Sequence, residues 1–253
     1  MIKLENYEVV GWEHALRGMR NPMNSWEKSD SAFGAKGVAS CGNCPYNGNK
    51  CLDNDYAYCL NIGNNDHELM MKLAKGGSVH AKYRRMITVY VDITAPLYWW
   101  KEFDTYKVGM VANSCSTMHK IHEKEFTIDD FSCEHLAPVN AEGELDKDLI
   151  MPIYGCDGNN SWDLLSHTIW YLNHWRGKFI ETKDKKYWWQ MIQLLPSSYN
   201  QKRTVMLNYE VLAGIYEYRK NHKLDEWVEF CKWIESLPYS EIITGVVEEK
   251  TDD

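Results

Sequence analysis

Apolar and polar residues alternate most cleanly over residues 86–93. Ile87, Val89, Val91 and Ile93 fall on one side, and Thr88, Tyr90 and Asp92 on the other. That period of two predicts a strand with one buried face. Thr94-Ala95-Pro96 then predicts a helix start, with proline near the first turn, and Trp99, Trp100 and Phe103 extend that helix to Tyr106. Upstream, residues 13–20 read as a short helix stopped by Asn21-Pro22. Asn65 and Glu68 have the spacing of a capping box ahead of Leu69, Met70 and Leu73, with Gly76-Gly77 as the stop.

The C-terminal part has the helical period. Ser161 can cap a helix carrying Leu165, Ile169 and Leu172. Asp184 can cap another carrying Trp188, Ile192 and Leu195, ended by Pro196. Leu207, Val211, Ile215 and Tyr218 share a face at helical spacing, as do Trp227, Phe230, Ile234 and Leu237. Residues 109–119 read as loop, residues 126–158 are weakly patterned, and residues 248–253 form a charged tail. No repeat or linker divides the chain. The fold class is therefore α/β: a mixed sheet flanked by helices, in a single domain of 253 residues.

A formal net charge of −8 and the lack of a basic stripe argue against a polynucleotide partner. No run approaches the ~18 apolar residues that span a bilayer. Residues 1–10 carry scattered charges and no apolar core, so they do not read as a signal peptide. The expected compartment is the cytoplasm, where the eight cysteines stay reduced.

Residues 32–61 are rich in Gly, Asn and Cys and read as a loop or a stapled insertion. Cys41, Cys44, Cys51 and Cys59 follow the spacing C-x2-C-x6-C-x7-C. Four thiolates suit a structural zinc or an iron–sulfur cluster, with His67 able to replace one; unligated thiols are the alternative. Cys231 reads as a small core residue. Cys115, in a polar loop with His119 nearby, is a lesser nucleophile candidate. The segments Gly18 to Pro22 and Ser25 to Ser31 are dense in polar side chains and suit either a binding loop or a solvated connection. The Trp99-Trp100 and Trp188-Trp189 pairs read as core or subunit interface before they read as a stacking platform.

Between residues 80 and 119 the order is a His, a strand, a proline-started helix and a polar loop. Lys107 supplies charge there; Asn113, Ser114, Ser116 and Thr117 supply short donors able to grip a phosphate. A solvated surface turn is the alternative.

This segment resembles the flavin-dependent thymidylate synthases, in which a His precedes a strand, a proline-started helix carries Arg-His-Arg, and a loop of the form S-x-N-x-x-S-x-R follows. Here Thr105, Tyr106 and Lys107 stand in place of Arg-His-Arg. His80 matches the early His, and Asn113 and Ser116 match the loop with one residue inserted. A second stretch, Leu194 to Arg219, resembles that family's leucine-proline turn and Asn-x-Arg helix. Asn208 and Arg219 match, while Glu210 replaces the arginine, Glu102 replaces a glutamine, and Asp225-Glu226-Trp227 stands at the Ala-Gln pair.

The resemblance implies FAD as cofactor, with dUMP and a folate-type methylene donor as partners at tetramer interfaces. It makes Ser116 and Lys107 the catalytic candidates. Asn113, Ser114, Arg219 and Arg84 become the nucleotide-binding set, and His80 and Asn208 the cofactor-binding pair. One ammonium does not reproduce a bidentate guanidinium grip, so either the ligand differs or Arg84, Arg85, Lys101, Lys202 and Arg203 take over. The expected activity is reductive one-carbon transfer to a pyrimidine deoxynucleotide. The rivals are a nucleotide-binding protein that kept the fold without the chemistry, and a scaffold whose Cys-rich loop docks a partner.

Overall fold

The computed structural model describes residues 2–34, 59–140, 143–153 and 156–245. The chain begins with strand β1 (Lys3–Val10) and helix α1 (Trp12–Arg20). Short strands β2 (Ala32–Gly34) and β3 (Cys59–Asn61) follow, then α2 (Asn64–Lys75), β4 (Thr88–Pro96), α3 (Leu97–Phe103) and β5 (Val111–Ser114). Next come β6 (Ile150–Ile153), β7 (Cys156–Asn160), α4 (Ser161–Thr182), α5 (Lys185–Leu194) and β8 (Asn200–Asn208). Three helices close the described chain: α6 (Tyr209–Arg219), α7 (Asp225–Glu235) and α8 (Glu241–Thr244).

The main sheet has the order β1-β4-β8-β5. The α/β class with a helix-flanked sheet is what the sequence pattern predicts. In β4 the apolar face is completely covered: Val89 and Ile93, like Ile87 just before the strand, are 0 % exposed, against 44 % for Tyr90. The strand runs on through Pro96, so α3 is shorter than the pattern suggests. Its first N–H groups find chain acceptors in place of a side-chain cap: Leu97 N donates to Tyr199 O and Tyr98 N to Ser197 O, both at 3.0 Å.

Strands β1, β5 and β8 of the main sheet correct the sequence reading. Strand β1 lies where no element was expected. Strand β5 lies inside the expected loop and is exposed at all four residues. Both are edge strands, held by backbone bonds and free to carry polar side chains. Strand β8 places Leu207 in a strand, while Val211 and Ile215 belong to α6.

The described residues form two compact units. One comprises residues 1–5, 92–105 and 112–205; the other comprises 6–91, 106–111 and 206–253. The first unit has a core of Ile121, Phe126, Phe131, Leu165, Leu172 and Met191, over which α4 packs on α5. In the second, α6 packs against α7, α8 and the turn at Lys82–Met86, burying Leu212, Ile215, Trp227, Phe230 and Ile234.

The Asp184 cap is as expected, accepting from Lys186 N; for α4 the cap is not the expected Ser161 but Asn160, which accepts from Asp163 N. For α2 the cap is Gly63 with no side-chain bond of its own; Asp30 accepts from Asn65 N and Asp66 N instead. The ends of the Cys-rich segment are strands and not loop: β2 and β3 pair antiparallel, Gly34 opposite Cys59. Cys41, Cys44 and Cys51, like residues 248–253, lie outside the described residues. Among the described residues no helix is long and apolar enough to cross a membrane.

Candidate functional site

Helix α6 organises the second unit's candidate residues. Asn208 is its N-cap, and its Oδ1 accepts from Glu210 N at 3.1 Å and Val211 N at 3.0 Å. An asparagine also carries a donor, and here Nδ2 donates to Gly109 O at 3.3 Å. At the other end of the helix, Arg219 Nε donates to Tyr106 Oη at 2.9 Å, with its guanidinium 4.8 Å from the Trp227 ring centre. The turn from Tyr106 to Gly109 is thus strapped along α6 at both ends. Lys107, between the two ties, is exposed and makes no ion pair among the described residues.

Gly109 is at φ +85°, and a Cβ there would lie 3.1 Å from Asn208 Nδ2 and 3.2 Å from Val211 Cγ2. Gly109→Ala combines a left-handed backbone with a crowded contact. It is expected to cost about 1–2 kcal/mol, read as a lower urea midpoint at unchanged slope; an unchanged midpoint would show the turn to be free of α6.

Arg84 donates from Nε and Nη2 to Glu210 Oε2, both at 2.7 Å, and from Nη1 to Ile242 O at 3.2 Å. Glu210 sits in the first turn of α6, where the helix dipole favours a carboxylate. The Arg84 charge is therefore matched at the helix start. His80 is exposed in the turn after α2, where its backbone N donates to Gly77 O; its ring makes no hydrogen bond among the described residues.

The remaining candidates belong to the first unit. Asn113 and Ser114 are exposed on β5, and Cys115 N donates to Lys202 O at 2.9 Å. Ser116 Oγ accepts from Met118 N at 3.2 Å and His119 N at 2.8 Å. Its lone pairs serve the turn, and its O–H remains a donor. The cations of β8 are engaged. Lys202 meets Asp92 at 3.3 Å and Glu5 at 3.5 Å. Arg203 donates to Asp104 at 2.7 Å and lies 4.1 Å from the Trp100 ring centre. Asp92 and Asp104 are consequently cation partners. Trp99 and Trp100 are buried core, as the sequence suggests.

Among the described residues no group of three or more His, Cys, Asp or Glu could hold a metal. Cys231 is a buried thiol, pushed up to about 11 by burial and then by the Glu235 charge, which leaves it inert as a nucleophile.

The sequence did not reveal one buried ion pair: Arg20 Nε donates to Asp66 Oδ1 at 2.6 Å, with side-chain exposures of 4 % and 0 %. The available signal was the density of Ser25, Ser29 and Ser31 after Arg20, since a buried carboxylate collects hydroxyl donors.

No protein-family signature matches the sequence, and no curated protein matches it significantly. Solved structures do match. Thymidylate synthase X from Helicobacter pylori, with FAD and dUMP, aligns over 98% of this chain and 99% of its own, at 15% identity and a TM-score of 0.57. A second structure of that organism's flavin-dependent thymidylate synthase, complexed with FAD and dUMP, aligns over 95% of both chains at 16% identity and 0.53. The UMP/dUMP methylase PolB from Streptomyces cacaoi, bound with 5-Br dUMP, aligns over 93% of this chain and 88% of its own, at 11% identity and 0.50. The chain has the fold these proteins share.

Proposed function

We propose that the chain binds a pyrimidine deoxynucleotide and, with FAD, carries out a thymidylate synthase-like reductive one-carbon transfer. The observation that supports this best is the turn from Tyr106 to Gly109, tied to both ends of α6, which carries Lys107, exposed and without an ion pair among the described residues. A phosphate is the natural complement of such a cation with neighbouring donors. In this reading Lys107 and Ser116 are catalytic, and Asn113, Ser114, Arg219 and Arg84 serve the nucleotide. Arg84 would act through Glu210, since its own charge is matched.

FAD fits the donor set. His80, whose exposed ring makes no hydrogen bond among the described residues, and Asn208 would hold the cofactor, while Asn113 and Ser114, exposed donors on β5, are left to the nucleotide's phosphate oxygens. When bound, the flavin supplies the hydride; the protein's own residues orient the nucleotide and bind its phosphate. Reconstitution with FAD tests this: a yellow protein absorbing near ~450 nm supports the reading, and a colourless one counts against it.

A second reading, a nucleotide-binding protein without the chemistry, is favoured by two observations. Ser116 Oγ has no general base in contact among the described residues, and the cations Arg84, Lys202 and Arg203 are already matched. A colourless protein whose melting temperature still rises with dUMP would select it.

Three further assignments belong to the same proposal. A folate-type donor and a homotetramer follow the resemblance; exposed Leu164, Trp170 and Tyr171 on α4 support a contact between copies. A cytoplasmic location follows the sequence. Zinc on Cys41, Cys44, Cys51 and Cys59 is supported by their spacing and by the β2–β3 pairing that closes the segment. Metal analysis should find about one zinc per chain, lost in Cys44→Ser; equal metal content in both proteins would remove it.

A further inference from the structure

We propose that the cavity beside Arg20 is a binding site for the oxyanion of a small ligand, a phosphate or carboxylate group. It is built from residues that take no part in the Lys107 grip.

The cavity holds about 360 Å³ and is lined by Arg20, Met23, Ser25, Lys28, Asn65 and Leu69, a size suited to a small molecule. All six lie in the second unit. Its floor is an arginine with work left undone. Nε is bound to Asp66, and Nη1 donates to Ser25 O at 3.2 Å and Ser25 Oγ at 3.4 Å. Nη2 is buried and has no hydrogen-bond partner. Buried guanidinium N–H groups are seldom left without an acceptor, because the lost hydration is not replaced.

The two nearby carboxylates cannot supply that acceptor. Asp66 Oδ1 is taken by Nε, and Oδ2 accepts from Ser29 Oγ, Ser31 Oγ, Asp30 N and Ser31 N. Asp30 is spent on the first N–H groups of α2, at Asn65 and Asp66. Neither carboxylate lines the cavity.

What does line it is donor-rich. Lys28 is exposed and makes no ion pair among the described residues, and Asn65 and Ser25 add an amide and a hydroxyl. Asp66 neutralises Arg20, so Lys28 leaves the lining with an unmatched positive charge. An entering oxyanion would pair with Lys28, and a small rotation of the Arg20 side chain would bring Nη2, which is otherwise covered, onto it, a charge-assisted combination. Met23 and Leu69 offer apolar walls for the rest of the ligand. Of the two readings of the segments Gly18 to Pro22 and Ser25 to Ser31, a binding loop or a solvated connection, this proposal takes the first.

The test is titration of inorganic phosphate and, separately, acetate into the full chain at low ionic strength, followed calorimetrically. Wild type, Lys28→Gln, Asn65→Ala, Arg20→Lys and Lys107→Ala are compared. Saturable binding of phosphate or acetate is expected in wild type; any phosphate held at the Lys107 grip is a separate component lost in Lys107→Ala, and the component at the Arg20 cavity remains in that variant. The cavity component should weaken at least tenfold in Lys28→Gln, weaken in Asn65→Ala, and be lost in Arg20→Lys. The preferred anion tells a phosphate ligand from a carboxylate one. Lys28 and Asn65 are exposed, so their variants keep the test decisive even where Arg20→Lys does not fold. Absence of saturable binding by either anion would overturn the proposal, and so would equal binding by Lys28→Gln. Loss of all saturable binding in Lys107→Ala would place the anion at the nucleotide grip and overturn it too.

Discussion

Asp66→Ala is expected to lower the free energy of unfolding by about 3–5 kcal/mol, the cost of stranding a buried charge when its partner is removed. Arg20 would keep its charge at 4 % exposure with no carboxylate against Nε, and Ser29 Oγ, Ser31 Oγ and two backbone N–H groups would lose their common acceptor. Asp66→Asn retains the shape and one acceptor oxygen, and so should cost less. Burial pushes the Asp66 carboxyl up, but hydrogen bonds from Ser31, Ser29 and Arg20, with the Arg20 charge, outweigh it and hold the group below its ordinary 3.8. The sign follows: a carboxylate with a depressed folded value stabilises fully above its unfolded value. That contribution is lost as pH falls below about 4 and through the folded value. Wild type should therefore lose stability in that acid window, and Asp66→Asn should show a flatter limb. Equal midpoints for Asp66→Ala and wild type at neutral pH would refute the role.

Arg219→Ala is expected to weaken dUMP binding by about 10–100-fold, the usual scale for one charge-assisted hydrogen bond. Two losses combine. The guanidinium leaves the proposed nucleotide-binding set, and Tyr106 loses its 2.9 Å tie, so the turn carrying Lys107 is no longer fixed at that end. Tyr106→Phe separates them: it removes the tie and keeps the cation, and should cost less. Calorimetric titration of dUMP reads both. Equal affinity in wild type and Arg219→Ala would remove Arg219 from the site.

The parts of the fold legible in the sequence are those in which burial writes a period. Strand β4 is legible because its inward positions are all apolar and fully covered, and α7 because Trp227, Phe230 and Ile234 repeat at helical spacing. The edge strands β1 and β5 carry no such signal, since an edge is paired through its backbone and its side chains face water. Strand β8 is hidden for a different reason. Its buried positions include Gln201, whose side chain donates to Cys115 O at 2.7 Å, and its polar face includes Arg203 laid over Trp100; polar residues with partners imitate a loop. At the candidate site the residue types were legible and their commitments were not. That Arg84 is matched by Glu210, or that Ser116 Oγ closes a turn, depends on contacts between residues far apart in the chain or on local turn geometry that composition does not encode. Arg20 and Asp66, 46 positions apart, are the same case.

The central claim is that a pyrimidine nucleotide sits against the turn tied along α6. Crystals grown with 5-bromo-dUMP locate it through the anomalous signal of bromine. The account predicts a single strong peak per chain, with the nucleotide phosphate within hydrogen-bonding distance of Lys107 Nζ. A bromine peak whose nucleotide touches none of Lys107, Asn208 and Arg219, or crystals at saturating ligand with no peak, would contradict it.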